Sequence, residues 1–268
     1  MEGLAVPQSI VVGIDGSRAA IRAALWAVDE AMSRDAPLRL LCAAERGDTE
    51  AAQTSIRRAV KAIEAAGRPV KIEAEVVPGP AIASLIGASA SAAMVCVGAV
   101  GLRHFQPGRV GSVAAALAVS ARCPVAIVRA RDEHPAADSI VVELDGSPDN
   151  GVLLGAAVEE ARLRNAAVRA IVCCRSAADE EGPAGDRRAL ADLDRRLARW
   201  KRRYPDLRVE SLAVHGGLLG YLALRRSVGL VVVGARNRRQ VNELVGPSGG
   251  AVLQGADCSV LVVNQQHL

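Results

Sequence analysis

The segment SIVVGIDGS at residues 9–17 returns as SIVVELDGS at residues 139–147. A closing segment repeats as well, since ARCPVAIV at residues 121–128 has its counterpart ADCSVLVV at residues 256–263. The offset is about 130 residues, which is the size of a domain and far above the roughly 20–50-residue periods of solenoid repeats. The chain is therefore expected to contain two similar domains.

Each domain is long enough to bury a core of its own. We place the domains at residues 1–130 and 139–268, with a charged, proline-bearing linker at residues 131–138. Half of the 268 residues are hydrophobic, but only 2% are aromatic. The cores must therefore consist of Val, Ile, Leu and Ala, which suits parallel strands covered by helices.

Apolar runs alternate with helical patterns in both halves, which predicts doubly wound parallel α/β sheets with right-handed crossovers and helices on both faces. In the first half the predicted strands are residues 10–14, 38–43, 70–77, 94–97 and 125–128, and the predicted helices are residues 17–34, 49–66, 80–90 and 111–121. In the second half the predicted strands are residues 140–144, 168–173, 208–214, 230–233 and 260–263. The clearest helix there carries Leu190, Leu193, Leu197, Trp200 and Tyr204 at helical spacing.

A glycine-spaced segment follows the fourth predicted strand. Residues 98–112 read GAVGLRHFQPGRVGS, a G-x2-G-x9-G-S spacing that leads into a run of small residues. Glycines let the backbone approach an anion, and a helix start offers free N–H groups and the positive end of its dipole. The segment therefore predicts a phosphate-binding loop, in which Arg103 and Arg109 either neutralise phosphate or face solvent.

Asp15 ends the first predicted strand and precedes Gly16 and Ser17. A carboxylate at this edge faces the crevice where open α/β sheets bind ligands, so it suits ribose hydroxyls or a metal on a phosphate chain. The alternative is that Asp15 caps the following helix, and Asp145 has the same two options. Combined with the glycine loop, Asp15 favours a nucleotide site.

Several function classes lack their sequence signatures. There is no GxxxxGK[ST], no GxGxxG after the first strand and no HExxH, so P-loop, dinucleotide-binding and zinc-protease activities are not indicated. The six cysteines show no metal-ligand spacing. The net charge of +4 is too small to indicate a nucleic-acid partner. No run approaches the roughly 18 apolar residues of a membrane span, and no signal peptide is recognisable, so we expect no membrane partner and a cytoplasmic location.

The predicted helix near residue 195 has a basic face. Residues 187–203 contain eight Arg or Lys and two Asp. Such a face is either solvated, with its side chains lying over apolar neighbours, or a docking surface for an acidic partner. No aromatic stacking platform accompanies it, which disfavours single-stranded nucleic acid.

These motifs resemble the universal stress protein family, in the tandem form common in actinobacteria. The resemblance covers nearly the whole chain and rests on VVGIDGS at residues 11–17, the glycine loop, and CPVAIV at residues 123–128. It implies five-stranded sheets in the order 3-2-1-4-5, with ATP, alone or with Mg²⁺, bound by the first-strand aspartate and the glycine loop. The residues it implies are Asp15, Gly98, Gly101, Gly111 and Ser112, the neighbouring backbone at Gly13, Ile14, Val97 and Val113, and Cys42 and Ala43 near the adenine.

The second domain departs from the loop pattern. Residues 234–248 read GARNRRQVNELVGPS, with Asn237 at the second glycine and eight residues between it and Gly246. Asn tolerates a left-handed backbone, whereas Pro247 at the serine position removes an N–H that an anion would use. A nucleotide site in this domain would involve Asp145, Gly234, Gly246 and Ser248.

The family resemblance implies an ATP-binding regulator in stress response, whose nucleotide occupancy changes the surface shown to partners. Two alternatives stay open: a weak ATP hydrolase at the same site, for which Asp15 is the candidate base, and a nucleotide-free interaction scaffold. Each domain's closing strand would lie at a sheet edge, and such edges are usually covered. We therefore expect an internal pseudo-dimer of the two domains and a homodimer of the chain.

Overall fold

The computed structural model describes residues 8–45, 47–102, 109–129, 139–145, 147, 150–174, 182–225 and 227–264. The chain divides near residue 130 into two compact units. The predicted linker at residues 131–138 lies outside the described residues. No helix in the described part of the chain is long and apolar enough to cross a membrane.

The first unit is a five-stranded parallel sheet in the order β3-β2-β1-β4-β5. This confirms the predicted 3-2-1-4-5 topology, and the predicted boundaries agree within two residues. Its strands are β1 Ile10–Gly13, β2 Leu38–Ala44, β3 Ile72–Pro78, β4 Met94–Gly98 and β5 Val125–Val128. Its helices are α1 Arg18–Ser33, α2 Thr49–Ala65, α3 Ala81–Ala88 and α4 Ser112–Ser120.

Helices cover both faces of this sheet, since α1 packs with α2, and α3 packs with α4. The central strand is buried on both faces, as the 0% exposure of Ile10, Val11 and Val12 indicates. α1 buries a row of alanines, which lets it approach the sheet closely. The carboxyl ends of the strands, where Asp15 and the glycine loop begin, therefore meet at one edge of a rigid layer.

The second unit repeats this architecture in the order β8-β7-β6-β9-β10, again with parallel strands. Its strands are β6 Ser139–Glu143, β7 Ala167–Cys174, β8 Val209–His215, β9 Val228–Gly234 and β10 Ser259–Val263. Its helices are α5 Asn150–Leu163, α6 Gly182–Arg203, α7 Gly217–Ala223, α8 Arg238–Val245 and α9 Pro247–Ala256. Helix α8 was not predicted, because it forms within the segment interpreted as a degenerate glycine loop.

Candidate functional site

Asp15 connects the end of β1 to the glycine loop. Its Oδ1 accepts the N–H of Ser17 at 2.9 Å, and its Oδ2 accepts the N–H of Leu102 at 3.0 Å. The side chain is exposed, and a carboxylate has about four acceptor positions, so two remain for a ligand. The alternative that Asp15 caps α1 is wrong, because Ser17 is the N-cap and accepts the N–H of Ala20 at 3.0 Å.

Gly101 is the point where the loop backbone passes over this carboxylate. A Cβ atom at Gly101 would lie 2.6 Å from the Oδ2 of Asp15, so any side chain there would force the carboxylate or the loop to move. The second glycine of the spacing is therefore explained by the close approach of the loop to Asp15. Leu102, whose N–H makes the bond, was not predicted, because a backbone donor leaves no mark on the side-chain pattern.

Gly98 and Gly13 are explained by packing. A Cβ atom at Gly98 would lie 2.7 Å from both the carbonyl carbon and the Cβ of Ala19 in α1. At Gly13 a Cβ atom would lie 3.0 Å from Leu85 Cδ1 and 3.1 Å from Val97 Cγ1. These two glycines let helices pack closely on β4 and β1, so their presence does not by itself require a ligand.

The far end of the loop closes onto its beginning and starts α4. The N–H of Gly111 donates to the carbonyl of Ala99 at 2.8 Å. Gly111 is the N-cap of α4 and Ser112 is its first residue. The N–H groups of Ser112, Val113 and Ala114 have no acceptor within the helix, and Ser112 is exposed. The start of α4 is thus open to an anion.

Arg109 is exposed just before this closure, and Arg103 lies outside the described residues. No contact in the described part of the chain therefore supports a phosphate-binding role for either arginine.

The end of β2 completes this edge. The N–H of Ile14 donates to the carbonyl of Leu41 at 2.8 Å, which holds the segment before Asp15 beside β2. Burial raises the pKa of the Cys42 thiol, and the negative charge of Asp15 raises it further, so Cys42 lies within electrostatic reach of Asp15. Ala43, the next residue, is half-buried.

A cavity of about 900 Å³ opens where β2 and β3 end. Its lining mixes apolar and polar side chains and includes Ala44, Glu45, Thr49, Gln53, Val76 and Pro78. Its size is ample for a nucleoside, and it adjoins the predicted adenine position. A second cavity of about 800 Å³ lies at the opposite edge, beside Gln8, Pro37 and Lys71, and contains none of the predicted site residues.

The second unit keeps the aspartate turn but has a different residue two positions before the aspartate. Asp145 Oδ1 accepts the N–H of Ser147 at 3.0 Å, as Asp15 does with Ser17. Two residues earlier, Glu143 stands where the first unit has Gly13. Its carboxylate accepts a hydrogen bond from the side-chain amide of Gln240 in α8. Sequence comparison of the two repeats would have identified this glutamate.

Burial raises the pKa of Glu143, and the negative charges of Asp145 and Glu243 raise it further. Hydrogen bonds from Cys173 and Gln240 act in the opposite direction. Burial also raises the pKa of Cys173, to about 12, and the bond to Glu143 contributes. Cys173 is thus a neutral donor, and a carboxyl group with a raised pKa occupies the edge where the first unit offers only backbone.

Helix α8 ends against the first turn of α9. Asn237 is its N-cap, with a side-chain oxygen that accepts the N–H of Gln240 at 3.1 Å. The φ of Asn237 is −80°, so it does not use the left-handed backbone that Asn tolerates. A Cβ atom at Gly249 would lie only 2.1 Å from the carbonyl oxygen of Glu243. The end of α8 therefore presents a carbonyl oxygen to the first turn of α9, where an anion would bind.

Among the other residues predicted for the second site, Gly246 is explained by packing, because a Cβ atom there would lie 2.8 Å from the carbonyl oxygen of Asn242. Gly246 is the N-cap of α9, Pro247 is its first residue, and Ser248 is exposed. A Cβ atom at Gly234 would meet the side chain of Leu153 at 3.5 Å, an ordinary contact distance. In the part of the chain that the structure describes, no group of three or more His, Cys, Asp or Glu could hold a metal ion.

Comparison with known proteins identifies the family. The profile of the "Universal stress protein family" matches residues 7–129 and 137–264. Universal stress protein Rv2028c of Mycobacterium tuberculosis is 56% identical, with 98% of both chains covered. Universal stress protein Rv2624c of the same organism is 42% identical, with 96% of this chain and 97% of the other covered.

Among solved structures, a universal stress protein from Archaeoglobus fulgidus has the same fold, with a TM-score of 0.70, 17% identity and 96% of each chain covered. A putative universal stress protein from Pseudomonas aeruginosa gives a TM-score of 0.61 at 18% identity, with 97% of this chain and 94% of the other covered. The two profile matches and the 56% identical relative decide the matter: the chain belongs to the universal stress protein family, with two copies of its domain in tandem.

Proposed function

We propose that this chain is a nucleotide-dependent regulator in stress response that binds ATP in its first unit. The observation that carries the proposal is the contact between Asp15 and the glycine loop. The Leu102 N–H donates to the carboxylate, and Gly101, which has no Cβ, lets the loop backbone lie close to it. Asp15 and Leu102 are both exposed, so this contact lies outside the core. It builds a polar cradle beside an open helix start, which suits a phosphorylated ligand.

Each part of the nucleotide has a matching element at this edge. The free acceptor positions of Asp15 suit ribose hydroxyls. The backbone from Gly101 and the N–H groups of Ser112 and Val113 suit the phosphates, aided by the dipole of α4. The cavity beside Ala43 suits the base. Mg²⁺ would arrive on the phosphates, because the described residues supply no metal cluster of their own.

The test is ATP affinity in two matched variants, measured by isothermal titration. Asp15→Asn removes one negative acceptor and should weaken binding about tenfold or more, since a hydrogen bond to a charged group contributes roughly 1.5–3 kcal/mol. Asp145→Asn makes the same change in the same turn of the second unit and should leave affinity unchanged. Equal losses, or none in either variant, would contradict the assignment.

For the second unit we propose nucleotide-free interaction, as in the scaffold alternative. The carbonyl end of α8 faces the start of α9, and the Glu143 carboxylate lies at the edge nearby. Both features repel phosphate. We therefore expect this unit to contribute a binding surface for a partner.

The homodimer and the internal pseudo-dimer remain predictions based on the edge strands. β5 and β10 are the last strands of their own units, and apolar edge strands are usually covered. Light scattering at micromolar concentration tests the homodimer: twice the chain mass supports it and a single chain mass contradicts it.

A further inference from the structure

Helix α6 carries the positive charge of the whole chain. It contains eight basic residues and three aspartates, a surplus of five positive charges, whereas the complete chain has a net charge of +4. The remaining residues are thus close to neutral. A charge surplus confined to one helix creates a local potential that the overall net charge conceals.

At the carboxyl end of α6, arginines stack on aromatic rings. The guanidinium carbon of Arg162, from α5, lies 4.4 Å from the ring centre of Tyr204. Arg203 lies 5.4 Å from the same ring, and Arg199 lies 5.3 Å from the ring of Trp200. The two rings are themselves stacked, with centres 6.3 Å apart. We call the exposed residues Arg162, Arg199, Arg202 and Arg203 the arginine surface.

The arginine surface differs from the rest of the helix in how its charge is balanced. Earlier in α6, Arg195 and Arg196 form ion pairs with Asp192 at 3.0 and 2.7 Å. Within the described ranges, by contrast, no ion pair to a carboxylate is found for Arg162, Arg199 or Arg203. Their guanidiniums are oriented by the rings beneath them, which lowers the conformational entropy that binding would otherwise remove.

We propose that the arginine surface docks an acidic segment, rich in Asp and Glu, of a partner protein. Planar guanidiniums bind carboxylates through paired hydrogen bonds, and several oriented ones match a run of carboxylates. Single-stranded nucleic acid is disfavoured because its bases need open aromatic faces. Here Arg162 and Arg203 lie over Tyr204, Arg199 lies over Trp200, and the edge of Trp200 packs beside Gly155.

The experiment measures binding of a fluorescent peptide to the full chain by anisotropy. The probe is a peptide of about a dozen residues that alternates Glu and Ser, and Gln replaces Glu in the neutral comparison peptide. We expect the full chain to bind the acidic peptide and not the neutral one, with affinity falling as salt is raised. Arg199→Glu combined with Arg203→Glu should weaken binding at least about tenfold.

The matched control is Arg58→Glu combined with Lys61→Glu, which makes the same charge change on exposed residues of α2 in the first unit. It should alter affinity less than about twofold. Equal weakening by both double variants would overturn the proposal, because the attraction would then be a property of net charge alone. No binding of the acidic peptide to the wild-type chain would overturn it as well.

Two further measurements keep the test decisive. Circular dichroism checks that each variant is folded, and Arg199→Gln combined with Arg203→Gln replaces the charge-reversed pair if that pair unfolds. The glutamine pair removes the positive charges and the guanidinium hydrogen-bond donors without adding negative charge. It should still weaken binding several-fold.

A labelled single-stranded oligonucleotide of similar length is the competitor. Tighter binding of the oligonucleotide than of the peptide would overturn the proposal.

Discussion

The glycines of one sequence motif have different physical roles. Gly101 makes room for the Asp15 carboxylate, whereas Gly98 makes room for the backbone of α1 at Ala19. A carboxylate on an exposed turn can move when crowded, but a helix backbone in a packed layer cannot move without cost. Substitution of the two glycines should therefore separate ligand binding from stability.

For Gly101→Ala we expect ATP affinity to fall about tenfold, because the new Cβ, 2.6 Å from Oδ2, forces Asp15 or the loop away from its position. The unfolding temperature should change little, since the contact lies on the surface. Isothermal titration and a thermal melt on the same sample measure the two quantities. Unchanged affinity would contradict the role given to the Asp15–loop contact.

Gly98→Ala should instead destabilise the fold. The added Cβ would overlap Ala19 at 2.7 Å, and overpacking of this kind costs about 1–3 kcal/mol. Urea unfolding measures the loss. Gly87→Ala is the control: Gly87 lies in α3 with nothing within 4 Å of its Cβ position, so alanine there should stabilise by up to about 1 kcal/mol.

At the scale of elements, the sequence patterns predicted the buried strands and their helices well. Runs such as residues 94–97 and 125–128 are fixed by burial on both faces, and their ends in the structure agree within one residue. Helix α8 was missed because its segment was aligned with a loop. The signals were present, namely Asn237 as a helix N-cap and Val241 and Leu244 three residues apart, both 1% exposed.

Prediction of the candidate site was similarly uneven. Asp15 and Gly101 followed from residue type and spacing, and the structure brings them together. The partner of Asp15, the N–H of Leu102, could not be predicted, because every residue except proline offers the same donor. The packing role of Gly98 depends on how closely α1 lies to β4, which is a property of the assembled layers.

The contact between β6 and α8 should make stability depend on pH. The folded state raises the pKa of Glu143 above its ordinary value of 4.5, so it binds this proton more tightly than the unfolded chain does. Glu143 therefore makes stability fall as pH rises from about 4.5 through the raised pKa. Glu143→Gln keeps the acceptor for Gln240 without the charge, so it should be more stable than wild type at neutral pH.

Thermal melts of the two proteins across this pH range measure the effect. The stability advantage of Glu143→Gln over wild type should shrink as pH falls towards 4.5, because wild-type Glu143 then becomes protonated and neutral. Because the other titrating groups are common to both proteins, their contributions cancel in the difference. A constant difference at every pH would contradict titration of Glu143 as its source.

At the scale of the whole molecule, the duplication produced two units of one topology with unequal edges. The first has an exposed helix start at Ser112, whereas in the second the carbonyl oxygen of Glu243 lies at the first turn of the corresponding helix. We therefore predict about one ATP per chain. Denaturing fresh protein and quantifying the released nucleotide by anion exchange measures this ratio, and two per chain would contradict a nucleotide-free second unit. Asp15→Asn should remove most of the nucleotide, whereas Asp145→Asn should retain it.

The distribution of indole side chains gives each unit its own optical reporter. The chain has two tryptophans, Trp26 in α1 and Trp200 in α6. Trp200 lies beneath the guanidinium of Arg199, and the emission of an indole responds to a cation drawn away from its ring. A change in fluorescence that persists when Trp26 is replaced by Phe therefore arises in the second unit, and the complementary change at Trp200 isolates the first.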